Sequence, residues 1–253
     1  MCFRPLITII IITSLSTIFS CSFLENEILP DSPKELLKEG IKALKLDQTL
    51  RGRELLSQLI EDFPDSKART HALLLLARSY YSYEEYEEAK VKFQNFIQLY
   101  PRHKNIDRAY FFKAMSDFKR VDLAKRDQTS TKEARKGFQD LIDQFPKSQY
   151  VEQAKQKKDV CDFQLAKHVL EVGKFYFRTG AYLSAISRFK SLMTDHPKQK
   201  FFDEAAFLLA ESHYHEQSLK EAFLLYKNFL SDYPRSPFSL EAKKRLIALR
   251  KKN

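Results

Sequence analysis

The chain has 253 residues, 43% hydrophobic and 30% charged, with only 5 glycines; these proportions fit a soluble, helix-rich protein with a substantial core and exclude a fibrous or wholly disordered one. Its formal net charge of +10 points to an anionic neighbour. The cations are spread along the whole chain instead of lining one groove between aromatics, which argues against nucleic acid and leaves anionic lipid or an acidic protein as the expected partner.

Residues 1–20 stand apart. Arg4 supplies a short positive start, and Leu6 to Phe19 is apolar apart from Thr and Ser, without one charge. That is a signal-peptide core, too short to prefer spanning a membrane. It ends at Ile18-Phe19-Ser20-Cys21, which resembles a bacterial lipoprotein box, although Phe19 is bulkier than that motif usually carries. The resemblance implies a diacylglyceryl group on the Cys21 sulfur, cleavage before Cys21 and acylation of its new amino group. Acyl chains contribute roughly 0.8 kcal/mol per buried CH2, so several anchor a protein stably. The alternative is an ordinary secretory signal with Cys21 as a free thiol. Cysteine usage agrees with lipidation: Cys2 leaves with the signal, Cys21 carries lipid, and Cys161 stays alone as a buried small apolar residue, so no intramolecular disulfide is expected. Removing residues 1–20 takes away one arginine and no acid, leaving 42 basic against 33 acidic residues, or +9.

Residues 21–32 read as a lipidated polar tether ending at Asp31 and Ser32, either of which can cap a helix with Pro33 in its first turn. From there to Arg250 the apolar residues recur at three and four, the helical period, with almost no alternation of period two. The pattern predicts eleven helices, at about 33–46, 49–62, 66–82, 84–99, 105–124, 130–144, 148–179, 181–195, 199–216, 219–232 and 237–250.

One spacing recurs five times. Before Pro101 stand a small residue twelve back (Ala89), an aromatic eight back (Phe93), an apolar pair five and four back (Phe96, Ile97) and an aromatic immediately before (Tyr100). The same slots precede Pro64 (Gly52, Leu56, Leu59, Ile60, Phe63), Pro146, Pro197 and Pro234. In Phe63-Pro-Asp-Ser66, Phe145-Pro-Lys-Ser148 and Tyr233-Pro-Arg-Ser236, proline stops one helix and serine can cap the next. With Leu73, Leu76, Ala77 and Tyr80, and again Val169, Val172, Gly173 and Tyr176, at the offsets of a first helix, the unit resembles the tetratricopeptide repeat. The small residue lets two helices approach, and the large one fills the space between hairpins. One hairpin cannot bury its apolar face alone, so stacking supplies the core. The expected fold is all-α, a tetratricopeptide-repeat superhelix of about five helical hairpins plus a C-terminal helix, with an N-terminal half at 33–147 and a C-terminal half at 148–253. Successive prolines stand 37, 45, 51 and 37 residues apart, against about 34 for the repeat. The middle excesses are placed at Val121 to Thr131 and in the long helix 148–179. Gly180 and Tyr182 fall where the motif turns between its helices.

No nucleophile, metal or nucleotide motif stands out, and no catalysis, cofactor or metal is expected. His213 and His215 lie two apart on one helix and point in different directions. The acids of Tyr83-Glu-Glu-Tyr-Glu-Glu88 favour a helix start through its macrodipole. The cations from Lys243 to Lys252 suit the end of a last helix whose outer face must be polar; the alternative is a contact with acidic headgroups or a partner.

Three stretches carry a closer resemblance. Phe93 to Phe112, FQNFIQLYPRHKNIDRAYFF, Arg126-Asp127 ahead of Ala134, and Tyr176 to Tyr182 with Arg178, Gly180 and Ala181 resemble the BamD family, lipoproteins of the bacterial β-barrel assembly (BAM) machine. The similarity covers roughly Asp31 to Pro234, and the turn Pro101 to Asp107 is its most specific part. The segment between the fifth and sixth helices is shorter than in the enterobacterial form, and residues 235–253 extend further. The resemblance implies a non-catalytic scaffold at the periplasmic face of the outer membrane, anchored through Cys21; Ser22 is compatible with transport there. It implies C-terminal repeats that dock a POTRA domain of the barrel-forming BamA subunit, with Arg188 as the matching contact. It also implies N-terminal repeats that receive unfolded outer-membrane protein precursors, with Tyr80, Tyr81 and Tyr83 as groove candidates. The competing class is a periplasmic tetratricopeptide lipoprotein serving cell-wall synthesis or division.

Overall fold

A computed structural model describes residues 31–121, 127–196 and 200–250. Cys21, Arg126, Pro197 and the terminal Lys251 and Lys252 lie outside the described residues. Within them are eleven α-helices and no strand: α1 (Pro33–Lys45), α2 (Thr49–Asp62), α3 (Lys67–Ser82), α4 (Tyr86–Leu99), α5 (Ile106–Lys119), α6 (Thr129–Gln144), α7 (Val151–Arg178), α8 (Tyr182–Asp195), α9 (Phe202–His215), α10 (Leu219–Asp232) and α11 (Ser239–Arg250). Each helix packs chiefly on its neighbours in the chain, so the first ten form five antiparallel hairpins in a row and α11 closes the end. The apolar interior is accordingly a string of local clusters instead of one central core.

The recurring slots explain this arrangement. The residues twelve, eight and five before each proline are buried in all five hairpins, whereas those four and one before it lie on the rim or at the edge of burial. Each rim residue ends its helix in the same way: the N–H of Phe63, Tyr100, Phe145, His196 and Tyr233 donates to the carbonyl four residues back. The small slots are close approaches. A Cβ on Gly173 would stand 2.6 Å from the Phe189 ring, and one on Gly52 would stand 2.7 Å from Leu44.

Between the two helices of a hairpin the chain passes through one residue of positive φ: Asp47 (63°), Glu84 (63°), Gly180 (77°) and Gln217 (59°). Each stands five before its small slot, and only one of the four is the glycine that this conformation favours.

Some sequence expectations need correction. The fifth helix, expected to run to 124, ends at Lys119 with Arg120 as its C-cap. The insertion expected through Thr131 already contains the first turn of α6, because the Asp127 carboxylate accepts from both the N–H and the hydroxyl of Thr129 and turns the chain into that helix. Of the serines expected to cap, Ser32 and Ser66 do, accepting from the N–H groups of Glu35 and Ala68. Ser148 and Ser236 stand three residues before α7 and α11 and accept, as Ser66 does, from the N–H two residues on, that of Tyr150 and Phe238. Their hydroxyls also donate to Asp107 (2.6 Å) and Asp203 (2.7 Å), carboxylates in the first turn of the preceding hairpin.

Candidate functional site

The turn Pro101 to Asp107 is a structural pin. His103 Nδ1 accepts from the Asn105 N–H at 3.1 Å, and its ring meets Phe96 edge-on at 5.3 Å. Burial, then Lys104 and His71, hold the His103 pKa below its ordinary value, which keeps that nitrogen free to accept. Asp107 accepts from the Arg108 N–H and from Ser148. The turn therefore fixes the start of α5 and ties it to the entry of α7.

Arg188 stands on the outer face of α8. Ile186 and Phe189 beside it are buried, while Leu183, Ser184, Ser187 and Arg188 are exposed, and Arg188 makes no ion pair among the described residues. Leu183 is 70% exposed. A leucine, two hydroxyls and an unpaired guanidinium thus form one open ridge next to the Gly180 turn.

The three tyrosines do not converge. Tyr80 is half-buried beneath the Arg53 guanidinium, 3.9 Å from its ring centroid. Tyr83 is exposed, shares Arg53 at 5.5 Å, and donates its hydroxyl to Asp47 in the preceding hairpin. Tyr81 faces the other way, edge-on to Phe112 (5.1 Å) and Tyr86 (5.4 Å). Burial, then Tyr86, push its hydroxyl up to about 12. Tyr80 and Tyr83 thus belong to the junction of hairpins one and two, and Tyr81 to the aromatic wall that continues through Phe112, Phe111 and Tyr150.

Sequence reasoning missed the polar ties between hairpins. Arg53, only 9% exposed, donates to the Ser79 hydroxyl (3.1 Å) and carbonyl (3.2 Å) and pairs with Glu85 (2.7 Å). Lys90 pairs with buried Asp117 at 2.7 Å, and Arg120 pairs with Glu87. Arg135 pairs with Asp162, which Lys158 also reaches at 3.0 Å. Burial pushes Asp117 above the usual carboxylate range despite Lys90. Burial pushes Asp162 the same way, but its two cations outweigh it and hold the carboxyl low. A signal existed: Arg53, Lys90 and Arg135 each directly follow the small slot, where the last two hairpins carry Ile186 and Phe223. The C-terminal end has a different tie. Glu211 on α9, 5% exposed, accepts from Arg245 of α11 at 2.9 and 3.2 Å and from the Tyr226 hydroxyl.

Among the described residues no group of His, Cys, Asp and Glu is placed to hold a metal ion, and no helix is long and apolar enough to cross a membrane. His215 stacks on Tyr182 at 4.8 Å, while the His213 Nδ1 is buried without a partner. The single described cysteine, Cys161, is buried, and burial, then Asp162, push its thiol up to about 12, so it stays protonated and inert.

The geometry offers surfaces for partners, and comparison with known proteins gives them a context. The family described as YfiO, outer membrane lipoprotein, matches residues 30–221. The chain belongs to that family. The outer membrane protein assembly factor BamD of Caulobacter vibrioides is 26% identical over 237 residues, covering 90% of this chain and 78% of the relative. The BamD of Rickettsia prowazekii is 27% identical over 198 residues, covering 77% and 79%. A TPR repeats protein from Bacteroides fragilis superposes with a TM-score of 0.45 at 15% identity, covering 88% of this chain and all of that one. The matched span takes in the Pro101 to Asp107 turn, Arg188 and all three tyrosines.

Proposed function

We propose that the protein is a non-catalytic scaffold of outer-membrane β-barrel assembly, held at the periplasmic face by lipid on Cys21. The observation that carries this reading is membership of an outer membrane lipoprotein family together with relatives named as assembly factors over most of their own length. Lipid on Cys21 would fix the chain to the membrane, and the row of hairpins would hold partners apart at set distances without a chemical step. In this reading residues 148–253 dock a POTRA domain of a BamA-type barrel subunit through the ridge of Leu183, Ser184, Ser187 and Arg188. An exposed arginine without an ion pair among the described residues, beside an exposed leucine, suits an anchor of that kind, since a carboxylate of the partner can pair with it without displacing an internal acid. Residues 33–147 receive unfolded barrel precursors along the first helices of the hairpins, where exposed Tyr83 with half-buried Tyr80 beside it offers one contact and Tyr81, turned toward Phe112 and Tyr86, a separate one. A helical solenoid offers an extended surface for such peptides.

The deciding experiment is affinity capture with the lipidated protein. Recovery of a BamA-type subunit, weakened by Arg188→Glu with unchanged thermal unfolding, is the expected result. Enrichment of peptidoglycan enzymes alone would overturn the proposal, and unchanged capture by Arg188→Glu would remove that residue from the interface. For the anchor, Cys21→Ala should abolish palmitate labelling; continued labelling would exclude Cys21.

A further inference from the structure

The first helix carries a surface that the hairpin packing does not use. Leu36, Gly40 and Ala43 of α1 are buried against α2 and α3. On the opposite side Lys34, Lys38, Lys42 and Lys45 are all exposed. Between the lysines and the buried stripe lie Leu37 and Ile41, only half-buried, and the 60% exposed Leu46 follows the helix. Together with His71 these residues line an open groove of about 590 Å³ with mostly apolar walls. The acids of α1 are segregated: Glu35 falls in the first turn and Glu39 pairs with Lys42 at 3.2 Å. Lys34, Lys38 and Lys45 make no ion pair among the described residues.

A terminal helix of a solenoid needs a polar outer face. At the other end of this molecule α11 pairs Lys244 with Glu241 and Arg245 with Glu211, and its exposed Lys243 and Arg250 stand with exposed Leu240 and Ile247 at the end of the row of hairpins away from the tether. On α1, next to the tether, three ammonium groups without an ion pair among the described residues flank half-buried Leu37 and Ile41 and exposed Leu46, which is the pattern of a helix lying at a lipid interface. There the aliphatic residues enter the headgroup boundary, and the lysine stems run along them while their charges stay with the phosphates. The distance also fits. Pro33 stands 12 residues from Cys21, a tether of at most about 40 Å, so lipid on Cys21 would hold the start of α1 within that distance of the bilayer.

We propose that this face of α1 docks on anionic phospholipid, giving the protein a second, electrostatic membrane contact that sets the orientation of the solenoid against the bilayer. The inference rests on the reading of the chain as a membrane-anchored protein only for its biological setting. The chemistry can be tested without lipidation and without any protein partner, so its failure and the failure of the scaffold reading are separable.

The test uses the polypeptide from Ser22 onward, which keeps every described residue, in sedimentation with vesicles of mixed phosphatidylethanolamine and phosphatidylglycerol. Binding at low salt, release at high salt and no binding to phosphatidylcholine vesicles are expected. At about 1 kcal/mol for each lysine near an anionic surface, the triple change Lys34→Gln, Lys38→Gln, Lys45→Gln should weaken partitioning by about a hundredfold. Lys38→Glu alone should weaken it less but in the same direction. The control, Lys243→Gln, Lys244→Gln, Arg250→Gln on α11, should keep the original partitioning. No vesicle binding by the parent chain would overturn the proposal. So would unchanged binding by both α1 variants, an equal loss in the α11 control, which would mark a general effect of net charge, or equal binding to neutral vesicles.

Discussion

Gly173→Ala tests the packing logic of the repeat most directly, because two known effects oppose each other there and the structure decides between them. Alanine in a helix interior is favoured over glycine by about 1 kcal/mol. Against this, a Cβ at position 173 would stand 2.6, 3.0 and 3.1 Å from three atoms of the Phe189 ring. Phe189 is fully buried in the cluster of α7, α8 and α9, so its rigid ring cannot swing away without displacing neighbours. Overpacking of that kind costs typically 1–3 kcal/mol, and a contact this short belongs near the top of that range, about 3 kcal/mol. The net expectation is a loss of about 2 kcal/mol, read as a lower urea midpoint of far-UV circular dichroism. Gly40→Ala is the comparison: its Cβ would meet the Leu56 side chain at 3.1 Å and the Gly52 carbonyl at an ordinary 3.5 Å, so the milder strain and the helix preference nearly cancel. Adding Phe189→Leu to Gly173→Ala should recover at least about 1 kcal/mol relative to the sum of the single changes, as expected for residues in contact. A neutral or stabilised Gly173→Ala, or strict additivity with Phe189→Leu, would refute the claim that the small slot exists to admit the facing ring.

Two further expectations follow from the ties between hairpins and a third from the turns within them. Arg245→Met leaves the Glu211 carboxylate buried with only Tyr226 and His215 near it, and breaking a buried pair costs 3–5 kcal/mol; since Arg245 is itself about a third exposed, about 3 kcal/mol is expected in denaturant titration, and Glu211→Gln in the same chain should restore part of it. Asp162 has a folded pKa below its unfolded value, so its contribution is fully present above the ordinary carboxylate pKa and disappears as pH falls through the folded one. Asp162→Asn should therefore lower the urea midpoint at neutral pH and converge with the parent chain in acid, and parallel curves would contradict the assignment. Gly180 has open space for a Cβ but a φ of 77°, so Gly180→Ala should cost about 1 kcal/mol through backbone strain alone, while Glu84→Gly and Gln217→Gly should be neutral or stabilising by about 0.5 kcal/mol. Thermal melts of the three variants check this.

The fold was legible because its determinants are local and repeated. Gly52, Ala89, Ala134, Ala185 and Ala222 announce five close approaches, and Leu56, Phe93, Phe138, Phe189 and Tyr226 announce the side chains that fill them; all ten are buried. Register between hairpins was not legible, because it depends on pairs far apart in sequence. Nothing near Ser148 says that its hydroxyl will also reach Asp107, 41 residues earlier. Ser66 stands in the same tetrapeptide and accepts from the N–H two residues on, as Ser148 and Ser236 do. The difference lies in the partner: Asp107 and Asp203 sit in the first turn of the preceding hairpin and accept the serine proton as well. Likewise the cations Arg53, Lys90 and Arg135 read as solvated helix positions until Ser79, Asp117 and Asp162 appear opposite them.

The long helix α7 shows how an insertion can be accommodated without losing the stack. Its first half, with Val151, Ala154 and Cys161, packs into the cluster of α5 and α6, and its second half, with Ala166 and Leu170, packs into that of α8 and α9. The interval between Pro146 and Pro197 exceeds the 37 residues of the regular hairpins by 14, and 14 residues of helix make just under four turns and advance about 21 Å. The insertion therefore moves the fourth hairpin along the helix axis while turning its buried stripe by only about 40°. A length two residues shorter or longer would swing Gly173 and Leu170 well away from Phe189. The two halves are thus displaced yet kept in a common register, with Arg188 carried on one and the tyrosines of hairpin two on the other. In the proposed reading, the separation between the Arg188 ridge and the tyrosines of hairpin two comes from this one continuous helix.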